Sequence, residues 1–186
     1  MNTDTTTYGA DPSGLICGYL INADTGGRPL GCQDAALWLD TKKVARNRQE
    51  AFAGSDFLWL HFNLSHTGAL PWLKQHADLS DGFFEMLSDG LHSTRIERTE
   101  EALIAVINDV HFDFSFDPSD ISTLWINVEQ HLVITARRQP LRSVDKLREE
   151  VKRGQPFRSA VELLEHLLRA QADVLVDIVR GVTERL

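Results

Sequence analysis

The sequence predicts an α/β domain that closes on a long helix, and three patterns carry that expectation. Residues 57–64 and 102–110 are apolar at both odd and even positions, as in central strands covered by helices on both faces. Residues 124–128 and 132–136 are rich in strand formers and separated only by Glu129, Gln130 and His131, the spacing of a tight antiparallel hairpin. From Phe157 to Leu186 apolar residues recur at helical spacing up to the last position.

Taken in order, residues 1–13 are rich in Thr, Asp and Gly and read as a loose tail, followed by an α/β domain over 14–156. Residues 15–21 form a strand closed by the turn Asn22-Ala23-Asp24-Thr25-Gly26-Gly27. Gly26 to Gly31 has the glycines of a phosphate loop, but Pro29 and the missing strand-to-helix context make it a turn instead. In 33–53 Ala35, Leu37, Trp38 and Leu39 precede a charged stretch that reads as an exposed helix, ended by Gly54-Ser55-Asp56. After the strand at 57–64, Ser65 is placed to cap a helix carrying Leu70, Trp72 and Leu73. Ser80-Asp81 opens a short helix with Phe83, Phe84 and Leu87 as its buried side. The strand at 102–110 runs into an acidic loop at 113–120, and the hairpin follows. A helix over 143–153 buries Val144, Leu147 and Val151 and is broken by Gly154-Gln155-Pro156.

The final segment, 157–186, carries Val161, Leu164, Leu168, Leu175, Ile178 and Val182 on one stripe, widened by Ala160, Leu163, Leu167 and Val174. Thirty helical residues would span roughly 45 Å, more than a compact domain of this size needs. No Gly cap or Pro follows Val182. The helix reads either as a terminal helix packed on its own sheet or as the start of a longer one.

The composition bounds the function. A chain of 186 residues with 42% hydrophobic and 25% charged residues is an ordinary globular domain. No apolar run approaches the ~20 residues that cross a bilayer, and no signal peptide is visible. The net charge of −8 repels phosphates and argues against nucleic acid. Cys17 and Cys32 cannot make a disulfide framework, so an intracellular domain with reduced thiols is expected.

Catalytic signatures are missing: there is no G-x-S-x-G, H-E-x-x-H, C-x-x-C or P-loop, so no enzyme is expected. Asp109, His111 and Asp113 would share one strand face and could hold a divalent cation, or they are a strand end fraying into a solvated acidic loop. Glu162 and His166 lie four apart on the last helix, as do Asp173 and Asp177. Such pairs share a helix face and chelate weakly, more so where several copies surround one axis, or they are simply solvated beside Arg158, Arg169 and Arg180. His61, inside an apolar strand, reads as a hydrogen-bonded core histidine rather than a general base. Trp59, Phe62, Trp72, Phe83, Phe84 and Trp125 read as core or subunit-contact residues.

Trp59-Leu60-His61-Phe62-Asn63 followed by Trp72-Leu73, Leu132-Val133-Ile134-Thr135-Ala136-Arg137 followed by Ser143-Val144-Asp145-Lys146-Leu147, and the run from Leu163-Leu164 through Asp173 and Asp177 stand in a telling order. Together they resemble the cytoplasmic part of the CorA-type metal-ion transporters, with the ZntB-like zinc branch the nearest. The resemblance covers 14–186; residues 31–54 fit poorly and read as an insertion. The family's Gly-Met-Asn signature and both membrane helices do not occur in the chain. The resemblance implies an α/β/α sandwich with a mixed, largely antiparallel sheet. It also implies a homopentamer on the cytoplasmic side of the inner membrane, with 157–186 beginning a stalk helix around a cation path. Zinc or another divalent cation is then cargo or regulator, Glu162, His166, Asp173, Asp177, Asp109, His111 and Asp113 are the candidate ligands, and no resident cofactor or covalent chemistry is expected. Two other readings stand beside it: a small metal-dependent hydrolase using Asp109, His111 and Asp113, and a soluble oligomeric scaffold joined through the last helix.

Overall fold

Strand β3 (Phe57–Asn63) is buried at every residue, and its alternation sets the layers. Phe57 and Trp59 point into one apolar cluster, Leu58, Leu60 and Phe62 into another on the opposite face. A strand so loaded is stable only with helices on both sides, since each large side chain gains roughly 1.5–3 kcal/mol by burial. The computed structural model, which describes residues 9–47, 56–88, 93–110 and 121–183, supplies both layers. The remaining elements are β1 (Leu15–Asn22), β2 (Gly26–Pro29), α1 (Cys32–Asn47), α2 (Ala69–His76), α3 (Asp81–Ser88), β4 (Arg95–Arg98), β5 (Leu103–Val110), β6 (Ile121–Val128), β7 (Leu132–Arg137), α4 (Arg142–Lys152) and α5 (Ala160–Thr183).

The sheet has seven strands in the order β2-β1-β3-β7-β6-β5-β4. Only β3 and β7 run parallel; the other neighbours are antiparallel. The mixed, largely antiparallel α/β/α arrangement is therefore observed. Helices α1 to α3 cover one face through Ala35, Leu39, Trp72, Leu73, Phe83 and Leu87. Helices α4 and α5 cover the other through Val144, Leu147, Val151, Leu163 and Leu167.

Four local expectations are corrected. Gly26–Pro29 is a strand, because Asn22 Oδ1 accepts the N–H groups of Asp24 and Thr25 at 2.8 and 3.1 Å and so closes the turn before it. Its glycines also admit α4: a Cβ on Gly27 would stand 2.5 Å from Val151 Cγ1, and Gly26, at φ +76°, faces Gly154 at the end of that helix. Ser65 does not cap α2; Gly68 holds that position without a side-chain bond, and Ser65 Oγ instead donates to the Arg138 carbonyl at 3.4 Å. The last helix begins at Ala160, not Phe157, whose ring is buried ahead of it. The helix expected within 33–53 is α1, and its Cys32, Ala35 and Leu39 belong to the core. In the expected loose tail, residues 9–13 are folded onto the domain: Asp11 Oδ1 accepts the N–H groups of Ser13 and Leu15.

Candidate functional site on the last helix

Helix α5 is built from two halves with different surroundings. The Ser159-Ala160-Val161-Glu162 spacing starts it: Ser159 Oγ accepts the Glu162 N–H at 3.1 Å, and Glu162 Oε2 accepts the Arg158 N–H at 2.6 Å, a variant of the reciprocal capping box. Through the first half, Ala160, Leu163, Leu164, Leu167 and Ala170 are buried at helical spacing. Polar ties reinforce this face. His166 Nε2 lies 2.6 Å from Glu150 Oε2 of α4, with the imidazole edge-on to the buried Phe157 ring at 5.4 Å. Gln171 Nε2 donates to the Asn108 carbonyl of β5, and Lys146 Nζ reaches Asp173 Oδ2 at 3.5 Å.

Beyond Ala170 no residue of α5 is buried among the described ones. Leu175, Val176 and Val179 are 45%, 46% and 64% exposed. At 100° per residue Asp173 and Asp177 lie about 40° apart and roughly opposite Leu175 and Val179. The second half is thus amphipathic, with Leu175, Val176 and Val179 exposed on one side, Asp173 and Asp177 on the other, and Val174 and Ile178 half-buried between them.

The seven candidate ligands are distributed as follows. Glu162 holds the start of α5 and His166 holds Glu150. Asp173 and Asp177 stand exposed on the emergent half, the latter 3.7 Å from Arg180. Asp109, 1% exposed, ends β5 beneath α4. Its Oδ2 accepts both the N–H (3.2 Å) and the hydroxyl of Ser143, and its Oδ1 accepts the Val110 N–H at 2.8 Å. It caps α4 from across the fold, and burial raises its carboxyl above the ordinary range. His111 and Asp113 lie outside the described residues. Among the described residues no three His, Cys, Asp or Glu side chains gather into a metal-binding group.

Among the described residues the geometry assembles no activated thiol either. Burial pushes both thiols, Cys17 and Cys32, up to about 12, where thiolate is negligible at neutral pH. His61 sits opposite Cys17 and Thr135 in the sheet register. Its Nδ1 is 2.9 Å from Thr135 Oγ1, which also accepts the Trp59 Nε1–H at 2.9 Å. Burial, then the charges of Arg137 and Arg148, hold this imidazole well below its usual range. It is a neutral core histidine, as expected from its apolar strand.

Sequence reasoning missed the ties that fix the direction of α5, namely Glu150, Gln171 and Lys146. Only the Ser159/Glu162 spacing was visible as a helix-start signal. The expected consequence is local: His166→Ala should lower stability by about 1–2 kcal/mol, read from urea midpoints, by stranding Glu150.

No helix of the described residues is long and apolar enough to cross a membrane. Residues 54–186 match the family model of the CorA-like Mg2+ transporter protein. The chain is 27% identical over 177 residues to the divalent cation transporter CmaX of Pseudomonas aeruginosa, covering 95% of this chain and 50% of that protein. It therefore spans about half the length of the curated relative it matches. The structure of full-length CmaX superposes with a TM-score of 0.79 at 25% identity, again over 95% of this chain and 50% of the other. The ZntB cytoplasmic domain of Vibrio parahaemolyticus gives 0.63 at 13% identity, over 92% of this chain and 64% of that one. The CorA magnesium transporter of Methanocaldococcus jannaschii gives 0.61 at 15%, over 90% and 48%. These last two likenesses show a shared fold. With well over half its length matched by the family model, the chain belongs to the CorA-like Mg2+ transporter family.

Proposed function

We propose that this chain is the cytoplasmic domain of a homopentameric divalent-cation transporter of the inner membrane, with zinc as cargo, and that α5 forms the wall of its ion path. The observation that carries the reading is the emergent half of α5, apolar on one side and carrying Asp173 and Asp177 on the other. Copies of this helix set around an axis with Asp173 and Asp177 inward leave Leu175 and Val179 on the outer side, to be covered by neighbouring subunits. Their aspartates then ring the path and raise the local concentration of divalent cations. Glu162 and His166 remain the candidate ligands nearer the domain body. Zinc is the cargo implied by the sequence resemblance to the ZntB-like branch, and the family and the CmaX relative support divalent-cation transport. The chemistry asked of the residues is coordination and field, with no covalent step.

Two tests bear on it. Reading the coding region beyond Leu186 should reveal two apolar, membrane-length helices with Gly-Met-Asn after the first; a stop codon there would make a soluble scaffold the better reading. Leu175→Asp with Val179→Asp should weaken self-association of the chain about tenfold in sedimentation, while shifting monomer stability by no more than about 0.5 kcal/mol. Unchanged association would remove α5 as the assembly element.

A further inference from the structure

Strand β4 is one edge of the sheet, and among the described residues no strand pairs with its outer side. The opposite edge, β2, ends on Pro29, which has no N–H to offer a further strand. β4 carries no such block. Arg95 to Arg98 contain neither a proline nor a register shift, and Ile96 is 56% exposed. An edge of this kind is a template for another strand.

The register fixes which backbone groups face outward. The Thr99 N–H donates to the carbonyl of Ala102, directly opposite, at 2.8 Å, so this is a hydrogen-bonded pair of the β4–β5 ladder. Along the unbroken register Glu97 with Ile104 and Arg95 with Val106 are then hydrogen-bonded pairs as well. Ile96 and Arg98 therefore turn their N–H and C=O groups to the free edge. A second copy that pairs antiparallel with these groups does so about a twofold axis, and the side chains decide where the axis lies. An axis at Arg95, Glu97 or Arg98 sets that residue opposite its own copy, like charge against like. An axis at Ile96 sets Ile96 against Ile96 and, on the other face, Arg95 against Glu97 twice. The two Ile96 residues then exchange both backbone hydrogen bonds. In the single chain Arg95 Nε is buried 3.5 Å from Glu97 Oε1 and makes no hydrogen bond, so the guanidinium has donor capacity for the second carboxylate.

We infer that β4 is a self-association edge, to which a second copy of this chain adds antiparallel about a twofold axis at Ile96, joining two seven-stranded sheets. A twofold contact closes on itself and is not a link of a five-membered ring. The inference therefore goes beyond the transport reading and does not rest on it; between pentamers the contact joins chains of different rings. A strand this short buries little area, so the association is weak and is read at high concentration.

The test uses the full chain at millimolar concentration, with Leu175→Asp plus Val179→Asp as a background that separates contacts through α5 from those through β4. Amide exchange by NMR should show the Ile96 and Arg98 N–H groups gaining protection as concentration rises, with Arg95 and Glu97 protected throughout. Protection of Ile96 and Arg98 at every concentration means that the edge is covered within one chain, and protection at none means that it stays bare; either overturns the inference. In sedimentation equilibrium Arg95→Glu alone and Glu97→Arg alone should each weaken self-association about tenfold, because each sets like charges opposite one another twice. An equimolar mixture of the two variants recreates both opposite-charge pairs and should recover the parental association. A mixture as weak as its components overturns the register. Ile96→Cys should give a covalent dimer on mild oxidation, since a hydrogen-bonded pair holds its Cα atoms about 5.5 Å apart. Arg98→Cys, roughly 14 Å from its own copy, should not, and the reverse pattern also overturns the inference.

Discussion

Replacing Asp109 by alanine is expected to cost about 2–4 kcal/mol of stability, the sum of a lost helix cap and buried donors left unsatisfied. The carboxylate is 1% exposed and serves three donors at once: the Ser143 N–H and hydroxyl, and the Val110 N–H. Leu141, at the N-cap of α4, offers no side-chain acceptor, so Asp109 does for that helix what a local Ser or Asp ordinarily does. Its loss leaves buried donors unsatisfied and loosens α4, and with it the Glu150 and Lys146 ties that direct α5. Asp109→Asn, which keeps an acceptor near Ser143, should cost much less, on the order of 1–2 kcal/mol. Urea denaturation of the three proteins by circular dichroism measures this. A loss under about 1 kcal/mol for the alanine variant would show that the cap is not structural. A stability that rises on adding zinc only when Asp109 is present would restore it as a metal ligand.

Acid should destabilise the domain through His61, well before the carboxylates titrate. In the unfolded chain the imidazole takes its proton near its ordinary 6.5, whereas burial beside Arg137 and Arg148 holds the native pKa well below that. Above pH 6.5 both states are neutral and this contribution is flat. Below it the unfolded state binds a proton that the native state refuses, so stability falls by up to ~1.4 kcal/mol per pH unit. Between pH 6.5 and 5.0 the expected loss is roughly 2 kcal/mol. Asp109 and Asp145, raised by burial, act in the opposite sense in the window above 3.8, since their native forms keep protons longer. They are common to the parent and to His61→Asn, which keeps a polar group within reach of Thr135. The variant will be less stable at pH 7.5 through lost packing. Its decline from pH 7.5 to 5.0 should nevertheless be shallower by about 2 kcal/mol, and parallel declines would show that His61 is not the titrating group.

The elements legible in the sequence were those whose burial is written in local pattern. β3 and β5 are apolar at successive positions because helices cover both faces, and the hairpin of β6 and β7 is set by the three residues between them. His61 could be called a core residue for the same reason. What stayed hidden depends on contacts distant in sequence. The parallel pairing of β3 with β7 joins residues more than seventy apart. Asp109 read either as a candidate ligand or as a strand end fraying into an acidic loop; its partner Ser143, 34 residues away, left no local signal. Gly26–Pro29 looked like a turn because glycine and proline signal one locally, while here the glycines make room for Val151 and Gly154. The α5 stripe was visible as a stripe, but Ala170 as the last fully buried residue among those described depends on the contacts with β5 and α4, distant in sequence.

The central claim is that this domain feeds divalent cations along α5, and flux tests it most directly. If the coding region continues beyond Leu186 into membrane helices, liposomes containing its full product would be loaded with a zinc-sensitive dye and challenged with external zinc. The account predicts protein-dependent zinc entry, slowed about fivefold by Asp173→Asn with Asp177→Asn because the ring of carboxylates no longer concentrates the cation at the entrance. Entry at the parental rate in that variant would remove the acidic face of α5 from the ion path, and no protein-dependent flux of zinc, magnesium, cobalt or nickel would contradict the transport reading itself.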